Sequence, residues 1–304
     1  MAVVFRAVLA ALLCVVALVI PPAAVAADTT RAPNFSAEAL LLVDPDGRVI
    51  YAKNADNERA PASLVKLMTL YLACEDLDAG RVDVDEIVSV SRHAATVGRY
   101  RMGLRTGEEV PVHVLLEGLA IASANDAASA LAERLGGGDE AVFVARMNDK
   151  ARDLGLTGTR FANPHGLPDP IQRSNARDLA TLTGRLIHDY PMSRPLLGGQ
   201  TFVYRGRVYA RHIPLFSDPG GVQALKTGFT QEAGYNLAVS AWRGGQQFLM
   251  VVLGARTRAL SFLDAKKLLH YGFVETGLEP EAVKPAPGRK SIRARRATAT
   301  RPAR

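Results

Sequence analysis

The chain has 304 residues, 48% of them hydrophobic and 22% charged, with a formal net charge of +7 and two cysteines. Two cysteines exclude a disulfide-stapled scaffold, so stability must come from an apolar core large enough for one sizeable domain or two joined lobes. The positive balance is local: residues 281–304 hold eight Lys and Arg against Glu281 alone, which leaves the body close to neutral and gives nucleic-acid binding little support.

Arg6, an apolar run from Ala7 to Ile20, and the small residues Ala24-Val25-Ala26-Ala27 read as an export signal over residues 1–27, with a retained N-terminal anchor as the alternative. The destination is then the periplasm or cell envelope, including the outer face of the inner membrane. Cys14 would leave with the signal. Cys74, at helical spacing from Leu67 and Leu70, reads as a small core residue.

The body is expected to span residues 28–275. Ala39 to Val43 and Val49 to Ala52 flank Asp44-Pro45-Asp46-Gly47, a strand, turn and strand. Next comes Ala62-Ser63-Leu64-Val65-Lys66, which puts a hydroxyl and an amine one helical turn apart, with Pro61 suited to a helix start. Serine becomes a nucleophile when a neighbouring base takes its proton, and a lysine serves when its ammonium is disfavoured by burial or by a helix N-terminus. An exposed lysine on an ordinary amphipathic helix is the competing reading.

From about residue 81 to 198 the pattern is mostly helical, with apolar residues at helix spacing over Val112 to Ala122, Asp126 to Leu135, Glu140 to Leu154 and Ala176 to His188. Between the first two lies Ala122-Ser123-Ala124-Asn125-Asp126, where Ser123 and Asn125 read either as caps of the following helix or as polar groups facing a cleft. Gly199 to Tyr209 reads as a strand pair. Val222 to Thr227, Asn236 to Trp242 and Gln246 to Leu253 read as three further strands, the last two joined at Arg243-Gly244-Gly245. A final helix runs from Leu260 to Tyr271. Strands at both ends with helices between imply an α+β fold: an antiparallel sheet flanked by helices, with an inserted all-helical lobe and a cleft where they meet. The histidines show no metal-ligand spacing and no glycine-rich phosphate loop precedes a helix, so neither metal nor cofactor is expected. Residues 276–304, rich in Pro, Ala, Thr and basic side chains, read as a disordered tail, either simply solvated or drawn to anionic membrane or cell-wall polymer.

S-x-x-K at Ser63, S-x-N at Ser123 and K-T-G at Lys226, in that order on a helix, an interhelical loop and a strand, resemble the serine penicillin-binding proteins and their β-lactamase relatives. Phe161-Ala162-Asn163-Pro164-His165-Gly166-Leu167, Asn175-Ala176-Arg177-Asp178 and Lys226-Thr227-Gly228-Phe229-Thr230 narrow the resemblance to the low-molecular-mass D-alanyl-D-alanine carboxypeptidases. The resemblance implies a β-lactamase/transpeptidase-like fold and removal of the terminal D-alanine from peptidoglycan stem peptides, with β-lactams as covalent inhibitors. Ser63 would attack, Lys66 take its proton, and Ser123 pass a proton to the leaving D-alanine. Asn125 would hold the substrate amide and the lysine. Lys226 would bring positive charge to the cleft, Thr227 bind the terminal carboxylate, and Gly228 let the substrate approach the strand. The backbone N–H groups of Ser63 and Phe229 would form the oxyanion hole. Asn163, His165 and Arg177 read as structural.

Two positions depart from the family: Phe229 where many relatives have histidine, and Ser261 where many have a carboxylate-binding arginine, with Arg256 or Arg258 available to compensate. The family's appended β domain and amphipathic membrane helix are expected to be missing. No glutamate lies between Glu140 and Glu232, so the acyl-enzyme water of class A β-lactamases would lack its activating group. A cross-link endopeptidase and a non-catalytic cell-wall binding module are the remaining alternatives.

Overall fold

Strands from the two ends of the body pair into one antiparallel sheet. The computed structural model describes residues 33–278 apart from residue 219; the expected signal at 1–27 and all but the first three residues of the expected tail at 276–304 lie outside the described residues. The sheet comprises β1 (Ala39–Val43), β2 (Val49–Lys53), β7 (Val222–Thr230), β8 (Gly234–Arg243) and β9 (Gln246–Ala255), in the order β2-β1-β9-β8-β7. β1 lies between β2 and β9, with Leu41 opposite both Ala52 and Val251. Its residues 39–42 are buried on both faces, which is why the segment reads as an unbroken apolar run.

The two faces of β1 have different covers. Leu42 meets the last helix, α8 (Arg258–Glu275), at Gly272, whereas Leu41 joins the core of the helical lobe. That lobe contains α1 (Lys66–Asp78), α2 (Arg92–Thr96), α3 (Val112–Ala120), α4 (Asn125–Leu135), α5 (Glu140–Asp153), α6 (Ala176–Asp189) and α7 (Ser193–Gly198). Helix starts follow local chemistry. Asp139 caps α5 through Ala141 N–H, Asn175 caps α6 through Asp178 N–H, and Thr257 caps α8 through Leu260 N–H.

The region expected to be mostly helical also holds a small antiparallel pair, β3 (Ile87–Ser89) and β4 (Glu109–Pro111), with Val88 opposite Val110. Three residues per strand are too few to leave an alternating pattern in the sequence. The hairpin expected over 199–209 forms as β5 (Thr201–Tyr204) and β6 (Arg207–Ala210), separate from the main sheet. Among the described residues, no helix is long and apolar enough to cross a membrane.

Asp264, on α8 and 1% exposed, ties the start of the described chain to the back of the sheet. Its Oδ2 accepts from Ser36 N–H at 2.9 Å, Ser36 Oγ at 2.7 Å and Ala37 N–H at 2.7 Å. Removing the carboxylate leaves buried donors unpaired, which costs roughly 2–4 kcal/mol. Asp264→Ala is therefore expected to lower the denaturant midpoint by that stability; a change below about 0.5 kcal/mol would contradict the role given to this carboxylate.

Candidate active site

Ser63 sits in one 3-10 turn, Ala62–Val65, from which α1 continues at Lys66. The expectation of an α-helical first turn is corrected in this detail. Its cause is Ala62, whose φ of 51° is left-handed and costs a non-glycine residue on the order of 1 kcal/mol. Three neighbours hold the turn. Gly166, at φ 88°, packs so tightly that a Cβ there would lie 2.1 Å from Ala62 O. A Cβ at Gly228 would lie 3.1 Å from both Pro61 O and Ser63 N, so β7 approaches the nucleophile's backbone as only glycine allows. Asn236 on β8 donates from Nδ2 to Ala60 O and Pro61 O, both at 3.1 Å, and accepts from Gly254 N–H at 2.9 Å.

Lys66 is fully buried. Its Nζ lies 3.4 Å from Ser63 Oγ, 2.6 Å from Asn125 Oδ1 and 2.5 Å from His165 O. Burial pulls its pKa down to about 7, against the attraction of the Asp126 carboxylate, which raises it. Desolvation is the largest cause of this shift. The Asn125 side chain is oriented from its other end, where Nδ2 donates to Gly98 O at 2.9 Å. Asn125 is thus the first residue of α4 and not its cap; the cap position is Ala124, and no side chain bonds there. The capping alternative for Ser123 and Asn125 falls with it.

Ser123 has a φ of 55°, a second strained non-glycine residue at the cleft. Its hydrogen-bond partner is Lys226, whose Nζ donates to Ser123 Oγ at 2.8 Å and to Thr227 O at 2.9 Å. Lys226 is only 2% exposed and its pKa lies well below the ordinary lysine range, through burial first and then repulsion from Lys66 and Arg211. The expectation places Lys226 as a positive charge at the cleft; its amine is buried against Ser123 Oγ and is not among the residues that line the cavity.

The cavity itself encloses about 320 Å³ and brings Ser63, Ser123, Thr227, Gly228 and Phe229 to one space. Among the described residues, its only charged lining residue is Arg258, at the start of α8 near Ser261. Arg258 Nη2 donates to His212 O at 2.6 Å and its guanidinium lies over the Phe262 ring. Arg256 faces a different cavity, which separates the two candidates for the missing arginine. Phe229 packs against Tyr235 with ring centroids 4.3 Å apart and the rings tilted by 30°. Tyr100 forms the opposite rim, on a loop held to Asp126 through Met102, Gly103 and Leu104 N–H at 2.8–3.0 Å.

The sequence alone assigns no role to Asp126 or Tyr100, gives Asn236 only as part of a family-like stretch, and reads His165 as structural. The His165 contribution is its carbonyl, which no side-chain pattern announces. Its imidazole is buried, with a pKa pulled down to about 3 by burial and by the charges of Lys66 and His93, so it is neutral. Arg177 pairs with Asp56 on the surface, 2.6 Å away, as the structural reading requires. Cys74 is buried, with its thiol pushed up to about 12, an unreactive core residue.

The sequence profile of the D-alanyl-D-alanine carboxypeptidase family matches residues 26–257. The chain is 39% identical over 274 residues to D-alanyl-D-alanine carboxypeptidase DacC of Escherichia coli (strain K12), covering 86% of this chain and 68% of that protein. To D-alanyl-D-alanine carboxypeptidase DacF of Bacillus subtilis (strain 168) it is 35% identical over 257 residues, covering 83% and 66%. It thus spans about two thirds of the length of these relatives. Penicillin-binding protein D2 from Listeria monocytogenes, solved in its ampicillin-bound form, superposes with a TM-score of 0.72 at 33% identity, covering 79% of this chain and 100% of that one.

In protein labelled with 13C at the lysine ε-carbon, one signal is expected to titrate near pH 7 and to vanish in Lys66→Met. An assigned Lys66 signal titrating above about pH 9 would show that the amine stays charged at neutral pH.

Proposed function

The chain belongs to the D-alanyl-D-alanine carboxypeptidase family of serine peptidases, and on that basis we propose that it removes the terminal D-alanine from peptidoglycan stem pentapeptides through an acyl-enzyme on Ser63. The observation that carries this reading is a serine hydroxyl 3.4 Å from a buried lysine whose pKa is about 7. An amine that is largely neutral just above pH 7 can accept the Ser63 proton as Oγ attacks, and the 3.4 Å separation can close when substrate is bound. The N–H groups of Ser63 and Phe229 take the oxyanion, whatever their side chains. Ser123 accepts its hydrogen bond from Lys226 and donates its own proton to the departing D-alanine nitrogen, and the proton that Lys66 took from Ser63 replaces it on Ser123 Oγ. Water then releases the shortened peptide.

Thr227 and Arg258 hold the substrate's terminal carboxylate. Arg258 supports this contact as the charged group at the cavity wall, in addition to the buried Lys226, for which the family motif gives the same role. β-Lactams, which acylate the same serine, are covalent inhibitors in this reading; without a glutamate between Glu140 and Glu232 their release is slow. The apolar run and small-residue cleavage pattern at 1–27 support export to the periplasm or envelope, and the basic residues of 281–304 support electrostatic retention on anionic membrane or cell wall.

Release of D-alanine from purified pentapeptide is expected from the parent, with Ser63→Ala lowering kcat by about 10³-fold or more. Ser63→Ala trimming at the parent rate removes the mechanism, and preferential cleavage of cross-linked dimers makes the protein an endopeptidase. The reactive amine is the unprotonated one, so kcat/KM should fall about tenfold per pH unit below about 7 and level off above it. Arg258→Ala should raise KM for a peptide ending in a free carboxylate by roughly tenfold, and by much less for the C-terminal amide; equal losses on both peptides would remove the carboxylate contact.

A further inference from the structure

A second cavity of about 420 Å³ adjoins the catalytic one, and Phe229 and Tyr235 line both. Its wall is the turn after β7 (Gln231, Glu232, Ala233), the end of β9 (Gly254 to Arg256), and Glu38 with Arg59. Arg59 is ion-paired to Glu38. Arg256 is exposed and has no ion-pair or hydrogen-bond partner among the described residues.

The direction of a bound peptide follows from the sheet. β7 is the terminal strand, so its outer edge is unpaired and faces the Ser63 turn. A substrate whose carboxylate end lies at Thr227 and whose scissile carbonyl lies between Ser63 and Phe229 can only add to that edge antiparallel, as an extra strand. Each residue upstream then advances about 3.3 Å past Phe229 toward Thr230 and Gln231. The second and third residues before the scissile bond leave the end of β7 at Thr230 and enter the space in front of Gln231 and Arg256.

We propose that this second cavity is the donor's upstream subsite, where Arg256 binds a free carboxylate carried by the peptide stem two or three residues before the scissile bond. The inference rests on the peptidase reading of Ser63. Arg256 and Arg258, two residues apart at the corner between β9 and α8, then grip opposite ends of one substrate from two cavities. Glu232, which lines the same cavity, disfavours a second anion there. The ridge of Phe229 on Tyr235 separates the two ends without adding charge near the reacting carbonyl.

The test compares three donors: a pentapeptide with its upstream carboxylates free, the same peptide with them amidated, and an N-acetylated tripeptide ending in D-Ala-D-Ala. In the parent, amidation should lower kcat/KM about tenfold, mostly through KM. Arg256→Gln should lower kcat/KM for the free-carboxylate pentapeptide about tenfold more than for the tripeptide, and should reduce the amidation effect to less than twofold. Arg256→Lys should restore much of the loss. An amidation effect that is the same in the parent and in Arg256→Gln overturns the subsite while leaving the peptidase reading intact. Release of D-alanine from none of the donors by the parent takes down the peptidase reading and the subsite with it.

Discussion

The site depends on removing one lysine from water. Lys66 Nζ has three acceptors, and each comes from a different part of the chain: Ser63 from its own turn, Asn125 from the head of α4, and the His165 carbonyl from the loop between α5 and α6. Neutral oxygens satisfy the amine's hydrogen bonds without offering the full countercharge that would keep it protonated, and the Asp126 carboxylate raises the pKa less than burial lowers it. The drop from 10.5 to about 7 corresponds to roughly 5 kcal/mol that the rest of the fold must offset at neutral pH. The sign is definite. Between pH 7 and 10.5 the unfolded chain binds a proton at this lysine that the folded protein does not, so this term makes stability rise with pH across that window.

The lobes are arranged to meet that demand. Asp126, next to Asn125, gathers the N–H groups of Met102, Gly103 and Leu104 and so holds the loop whose Gly98 carbonyl orients the Asn125 amide. On the other side Arg211 donates to Ala120 O and Leu225 O, and to Leu197 O and Gly199 O near the end of α7. It thereby ties the end of α3, three residues before Ser123, to β7, one residue before Lys226. The Ser123–Lys226 contact is set by that tie as much as by the two side chains. Gly166, Gly228 and Asn236 do the same for the Ser63 turn, whose left-handed Ala62 persists because its surroundings leave it no other conformation.

Much of this was legible in the sequence where chemistry is local. The hairpin at Asp44-Pro45-Asp46-Gly47, the turn at Arg243-Gly244-Gly245, the helices of the inserted lobe and the pairing of strands from both ends follow from periodicity and turn residues. Ser63, Ser123, Thr227, Gly228 and Phe229 were visible as motifs and share one cavity. What stayed hidden depends on tertiary geometry. The left-handed Ala62 and Ser123 occupy a conformation their residue types ordinarily avoid, and the His165 contribution is a backbone oxygen. Lys226 is an ordinary cation in a sequence; only the structure shows it 2% exposed with its amine on Ser123 Oγ.

That last point links the two lysines. Burial is the largest cause that depresses Lys226, with repulsion from Lys66 and Arg211 adding to it, whereas Lys66 is set by its own burial against the attraction of Asp126. Lys66 is held by neutral oxygens from three parts of the chain and Lys226 by Ser123 Oγ and Thr227 O, so among the described residues the hydrogen-bond partners of both amines are uncharged oxygens. Uncharged oxygens do not favour an ammonium as a carboxylate would, which fits the lowered pKa of both lysines, whereas Arg258, exposed at the cavity wall, carries its charge where water still reaches it.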